Sequence, residues 1–118
     1  MANPFMEICL YDVKPTKVND FDNLLKEVSE HHDSFSGVID IKYIKKTHRF
    51  SDFNSVKAGE PAIRLTRKPQ KVKYVLCWEL DNEIIYGKIT QVGLDKYYKR
   101  FNRCLLAPPN IILGERII

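Results

Sequence analysis

Apolar and polar residues alternate most sharply from Lys71 to Leu80. Val72, Tyr74, Leu76, Trp78 and Leu80 share one parity and are all apolar, while Lys73, Val75, Cys77 and Glu79 share the other and are mixed. Successive strand side chains point to opposite faces, so this stretch predicts a central strand with one dry face and one half-wet face. Pro69 stands just before it, where a strand can start. Phe5–Tyr11 predicts a first strand, with Met6, Ile8 and Leu10 on an apolar face and Phe5, Glu7, Cys9 and Tyr11 on a mixed one. Val38–Lys46 predicts another, with Ile39, Ile41 and Tyr43 opposite Asp40 and Lys42. Ile111–Ile118 predicts the last.

Helical spacing governs two other stretches. Val18, Phe21, Leu24, Leu25 and Val28 form one stripe, with Thr16 as the expected N-cap and Asp20 and Asp22 in the dipole-favoured first turns. This helix should end near His31-His32-Asp33, with the histidines against its last carbonyls. After Gly93, the residues Leu94, Tyr97, Tyr98, Phe101 and Leu105 make an amphipathic helix that Pro108-Pro109 stops. Two segments are ambiguous. Residues 83–90 read as a hairpin return strand or as helical turns weakened by Gly87. Residues 50–69 read as a lid or arm, reaching a second subunit in one version, or as a connection that adds a short strand at 63–66; structureless loops of this length are uncommon in compact domains.

The order β-α-β, connection, β, uncertain segment, α-β predicts a single ferredoxin-like domain over residues 1–118. Its class is α+β: a four-stranded antiparallel sheet with two helices on one face. Two helices cover only one face, yet several strands are half apolar on the other. A second copy of the chain is the simplest cover.

Composition narrows the setting. The 118 residues are 44% hydrophobic and 29% charged, with a net charge of +4 dispersed over the chain. That balance suits a folded domain and does not call for nucleic acid. Apolar runs are too short to span a membrane, and the first residues lack the basic and apolar regions of a secretory signal. Cys9, Cys77 and Cys104 are odd in number and show no C-x-x-C spacing, against a disulfide frame or zinc site. Reduced thiols in a cytoplasmic protein are the expectation.

Candidate chemistry is sparse. Adjacent His31 and His32 cannot share a helix face, and no metal-ligand spacing surrounds them. His48 lies in a basic strand end with no nominated partner. Glu7 and Glu79 fall on strands that would be neighbours, so they form either a buried carboxylate pair or two separate ion pairs, with Lys73 at hand. The five glycines are isolated, so no phosphate loop exists. No metal and no cofactor are expected. Trp78, the lone tryptophan, either fills core or walls a cavity.

Three features resemble the dimeric α+β barrel superfamily, which includes the antibiotic-biosynthesis monooxygenases. Gly37 opens the second strand, Tyr74 to Glu79 is an aromatic–Trp–acid run, and Tyr-Tyr-Lys-Arg-Phe at 97–101 precedes Leu-Ala-Pro-Pro at 106–109. The resemblance spans nearly the whole chain in element order; residues 50–69 and 83–92 stand as insertions. It implies a homodimer whose sheets face one another around a cavity that binds, or oxidises without a cofactor, a small organic molecule. The haem-degrading branch places a histidine on the second helix; no histidine follows His48 here, which argues against haem. Trp78 and Tyr74 carry over as ligand-binding residues, and Tyr11 joins them as the third candidate. The sequence nominates no catalytic residue. An RNA-binding module is the alternative, since such modules share the element order and stack bases on third-strand aromatics, although the glycines of their motif are missing.

Overall fold

The computed structural model describes residues 3–118. Four antiparallel strands, β1 (Phe5–Val13), β2 (Val38–Lys45), β5 (Val72–Leu80) and β6 (Asn110–Glu115), form one sheet in the order β2-β5-β1-β6. Helices α1 (Val18–Asp33) and α3 (Glu83–Cys104) pack together on one face. This is the ferredoxin-like α+β arrangement that the element order predicts.

The buried face of the sheet is the mixed face of β1. Glu7, Cys9 and Tyr11 stand opposite Trp78, Leu76 and Tyr74 in register, and all six are buried. The opposite face carries Met6, Ile8 and Leu10, with Val75 and Cys77 beside them, Ile44 on β2 and Ile112 on β6. Helices leave that apolar face bare.

α1 buries Phe21, Leu24, Leu25 and Val28, the predicted stripe, and extends it by one more turn to His32. Its N-terminus departs from the expected cap. Pro15–Lys17 forms a 3-10 turn, so Thr16 lies inside it, and Lys17 occupies the cap position without a side-chain hydrogen bond. Burial of the stripe therefore carries the stability that capping does not supply.

α3 settles the ambiguity at residues 83–92. Asn82 accepts a hydrogen bond from the Ile85 amide at 3.0 Å, and the helix runs unbroken for 22 residues. Gly87 costs roughly 1 kcal/mol relative to alanine. Packing of Ile85, Tyr86 and Ile89 on the core outweighs it.

β2 corrects the expected faces. A register shift between Val38 and Asp40 puts Val38, Ile41 and Tyr43 against the core and turns Ile39 outward. Just before it, Gly37 has φ of +95°, and a Cβ there would lie 2.5 Å from Ile85 Cδ1. Glycine alone meets both demands. The last strand is shorter than predicted: Ile117 and Ile118 lie beyond it and are exposed.

Residues 48–64 form an arm. β3 (His48–Arg49) pairs with β4 (Ile63–Arg64), and between them sits the short helix α2 (Phe53–Lys57), capped by Asp52, which accepts from the Ser55 amide at 2.7 Å. The short strand thus falls at Ile63–Arg64, within the expected segment. Phe50 and Phe53 stack edge-on at 5.2 Å on this arm and are exposed.

Candidate functional site

Between the helix-covered face of the sheet and the two helices lies a cavity of about 170 Å³. β1 supplies Glu7, Cys9 and Tyr11; β2 and β5 supply Tyr43, Leu76 and Trp78. α1 contributes Val28 and His32, and α3 contributes Tyr86, Thr90, Tyr97 and Phe101. The exposed Leu94, Tyr98 and Ile111 form the rim, so the mouth opens between α3 and the edge strand β6. None of the lining residues belongs to the 48–64 arm.

The three sequence candidates separate in space. Trp78 and Tyr11 line this cavity. Tyr74 shares their sheet face, but its hydroxyl donates to Asp22 at 2.5 Å, and its surface opens on a shallow cleft with Lys45 at the far end of α1.

Trp78 is 2% exposed and holds a parallel stack with His32, centroids 4.7 Å apart and planes 8° from coplanar. The stack needs α3 to come close: a Cβ on Gly93 would lie 2.9 Å from His32 Nε2. Neither ring nitrogen of His32 nor Nε1 of Trp78 has a hydrogen-bond partner among the described residues. Burial, and secondarily the charge of His31, lowers the His32 pKa to about 4, so the ring is neutral near pH 7. His32 thus sits in the last turn of α1 as expected, but its ring stacks on Trp78 and hydrogen-bonds none of the last carbonyls.

Glu7 is the acid of the cavity. Desolvation raises its pKa, and the neighbouring Tyr86 hydroxyl acts in the opposite sense. Burial likewise raises Cys9 to about 11 and pushes the phenols of Tyr11, Tyr43 and Tyr86 up. The carboxylate pair considered from the sequence does not form. Glu7 lies opposite Trp78, whereas Glu79 lies opposite Met6 and faces the bare side, where Arg116 approaches it at 3.3 Å. Lys73 pairs with Asp12 instead.

Sequence reasoning missed His32, Tyr86 and the placement of Glu7. His32 follows Phe21, Leu25 and Val28 at spacings of four, three and four, which marks it as the end of the buried stripe. Glu7 shares parity with Cys9, Tyr11 and Val13, a face too apolar for a solvated carboxylate.

No family model matches the sequence, and no curated protein is significantly similar to it. Solved structures do match. A conserved protein from Methanosarcina mazei Go1 superposes with a TM-score of 0.72 at 16% identity, over 98% of this chain and 94% of that one. A provisionally assigned antibiotic biosynthesis monooxygenase from Nitrosomonas europaea superposes with a TM-score of 0.72 at 10% identity, over 99% and 93%. Another from Bordetella bronchiseptica gives 0.66 at 15% identity, over 98% and 99%. The chain therefore shares the ferredoxin-like α+β fold of these structures. The likeness covers almost the full length of both chains in each case.

The RNA-binding alternative loses its chemical basis. Tyr74 and Trp78 face the helices and are 2% exposed each, leaving Lys73, Val75 and Cys77 as the open-face residues of β5 around them. Among the described residues, no group of three His, Cys, Asp or Glu is placed to hold a metal, and no helix is long and apolar enough to cross a membrane.

Proposed function

We propose that this chain binds a small, partly aromatic organic molecule in the cavity between sheet and helices. The observation that carries this reading is a concave, aromatic-lined space, open at one mouth and with only a few polar groups, the usual make-up of a small-molecule site. Cavities of about 150 Å³ hold a benzene-sized ligand, so one ring with a short substituent fits. Trp78 and Tyr11 are its ligand contacts in this reading, with Tyr74 outside the first layer. Titration with ethylbenzene should change Trp78 fluorescence saturably at one ligand per chain, and Trp78→Ala should abolish binding measured by calorimetry. Fluorescence indifferent to every small arene and to acrylamide would return Trp78 to a core role.

A second reading is that the bound molecule is oxidised there without a cofactor. The names given to the fold neighbours favour it. Ligand-dependent oxygen consumption by the purified protein separates it from binding alone.

The bare sheet face supports a homodimer. Leu10, Ile44 and Ile112 are 40–57% exposed there, and a patch of this kind on a soluble domain marks an interface. Light scattering at micromolar concentration should give twice the 13.8 kDa chain mass. A stable monomer mass would sink the barrel assembly.

A further inference from the structure

We propose that the cavity is selective for a primary amine carried on a single aromatic ring, with Glu7 holding the ammonium group. This rests on the pocket reading above and deepens it.

The argument begins with what lines the cavity. Glu7 is its one carboxylate, 6% exposed, and no Lys or Arg lines it. Glu7 has no cationic partner among the described residues, in contrast to Glu79, which has Arg116. A carboxylate offers about four acceptor sites; the Tyr86 hydroxyl is the protein group beside it. A buried carboxylate without a counter-charge is costly, and a ligand that brings the counter-charge removes that cost.

The surrounding rings favour the same ligand. Tyr43, Trp78, Tyr86 and Tyr97 line the space around Glu7. Aromatic rings attract a cation within about 6 Å of the centroid, and most strongly where water is excluded. An anionic ligand would meet the opposite: a carboxylate, electron-rich ring faces and no cation to receive it. A neutral arene would fill the volume but leave Glu7 unpaired.

The groups facing Glu7 do not compete with an ammonium for it. Cys9 and Tyr11 on β1, Tyr43 on β2 and Tyr86 on α3 are all held in their neutral forms by burial at pH 7, as is His32 on α1. Trp78 on β5 and Leu113 on β6 flank Glu7 in register and carry no charge. Affinity should therefore fall on acidification as Glu7 takes a proton and loses its charge. It should fall again at alkaline pH as the amine loses its proton.

The test uses calorimetry on the full chain with three probes of matched shape: phenethylamine, phenylacetate and ethylbenzene. Phenethylamine should bind at least tenfold more tightly than either of the others at pH 7. In Glu7→Gln the amine should lose tenfold or more while ethylbenzene binding is kept, which also shows that the variant is folded. Phenylacetate binding as well as the amine, or the amine binding unchanged in Glu7→Gln, overturns the assignment of Glu7. Ethylbenzene binding with no preference for the amine overturns this proposal and leaves the pocket reading standing. Failure of all three probes to bind overturns both.

Discussion

Phe21→Ala is expected to lower the unfolding free energy by about 3–5 kcal/mol, the range for removing a large aromatic from a well-packed core. Phe21 is fully buried. Its ring meets Tyr74 at 4.8 Å, Tyr11 at 5.5 Å and Phe101 at 5.8 Å, each near edge-on. It thus ties α1 to β1, β5 and α3 at one point. Edge-to-face pairs add to the transfer and cavity losses that alanine would incur, and three rings cannot all collapse into one void. Urea unfolding followed by far-ultraviolet circular dichroism measures the effect. A loss below about 1 kcal/mol would mean that the cluster is loosely packed.

Acid should destabilise the fold through His32. Its pKa drops from 6.5 to about 4 on folding, so between these values the unfolded chain binds the extra proton. Stability rises with pH wherever the unfolded state holds more protons. The contribution is complete above pH 6.5 and is lost as pH falls toward 4. At about 1.4 kcal/mol per pH unit, this amounts to a few kcal/mol over the window. Glu7 acts with the opposite sign: its pKa is raised on folding, so acidification through that raised value down to 4.5 favours the folded state. Urea midpoints of the native protein should fall between pH 7 and pH 4.5. In His32→Gln that fall should shrink or reverse, leaving the Glu7 response visible. Equal pH slopes for the two proteins would show that His32 does not govern acid stability.

The fold was legible because its signals are periodic. The 72–80 alternation, the Phe21–Val28 stripe and the Asp-Asn turn at 81–82 each survive in the structure. What resisted reading depended on tertiary choice. In β1 the purely apolar parity was not the one buried by the helices; the face with Glu7 was, because Cys9, Tyr11 and Val13 extend it to the strand end. Residues 83–92 follow a turn-like Asp81-Asn82 and contain Gly87, and the ambiguity is resolved only once the Asn82 side chain is seen to cap the helix. The β2 register shift that turns Ile39 outward leaves no periodic trace. In the candidate site, the burial of Trp78 follows from the parity of β5, whereas Tyr11 lies on the face of β1 that parity left mixed. The His32–Trp78 stack was not legible, since it depends on Gly93 letting α3 approach α1.

The edge strand β6 has a consequence for how the chain is made. Phe5 pairs with Glu115 and Leu10 with Asn110, so β1 has no second neighbour until residues 110–115 are made. Ile111, at the rim of the cavity, comes from the same late segment. Translation proceeds at about 5–20 residues per second, and pairings this distant in sequence are slow to form. During synthesis β1 can find β5 first and so present one unpaired edge, with the bare face of Met6, Ile8 and Leu10 beside it. The cavity cannot close at that rim until residues 110–115 have emerged, and until then the nascent chain carries an unpaired β1 edge and a bare apolar face side by side.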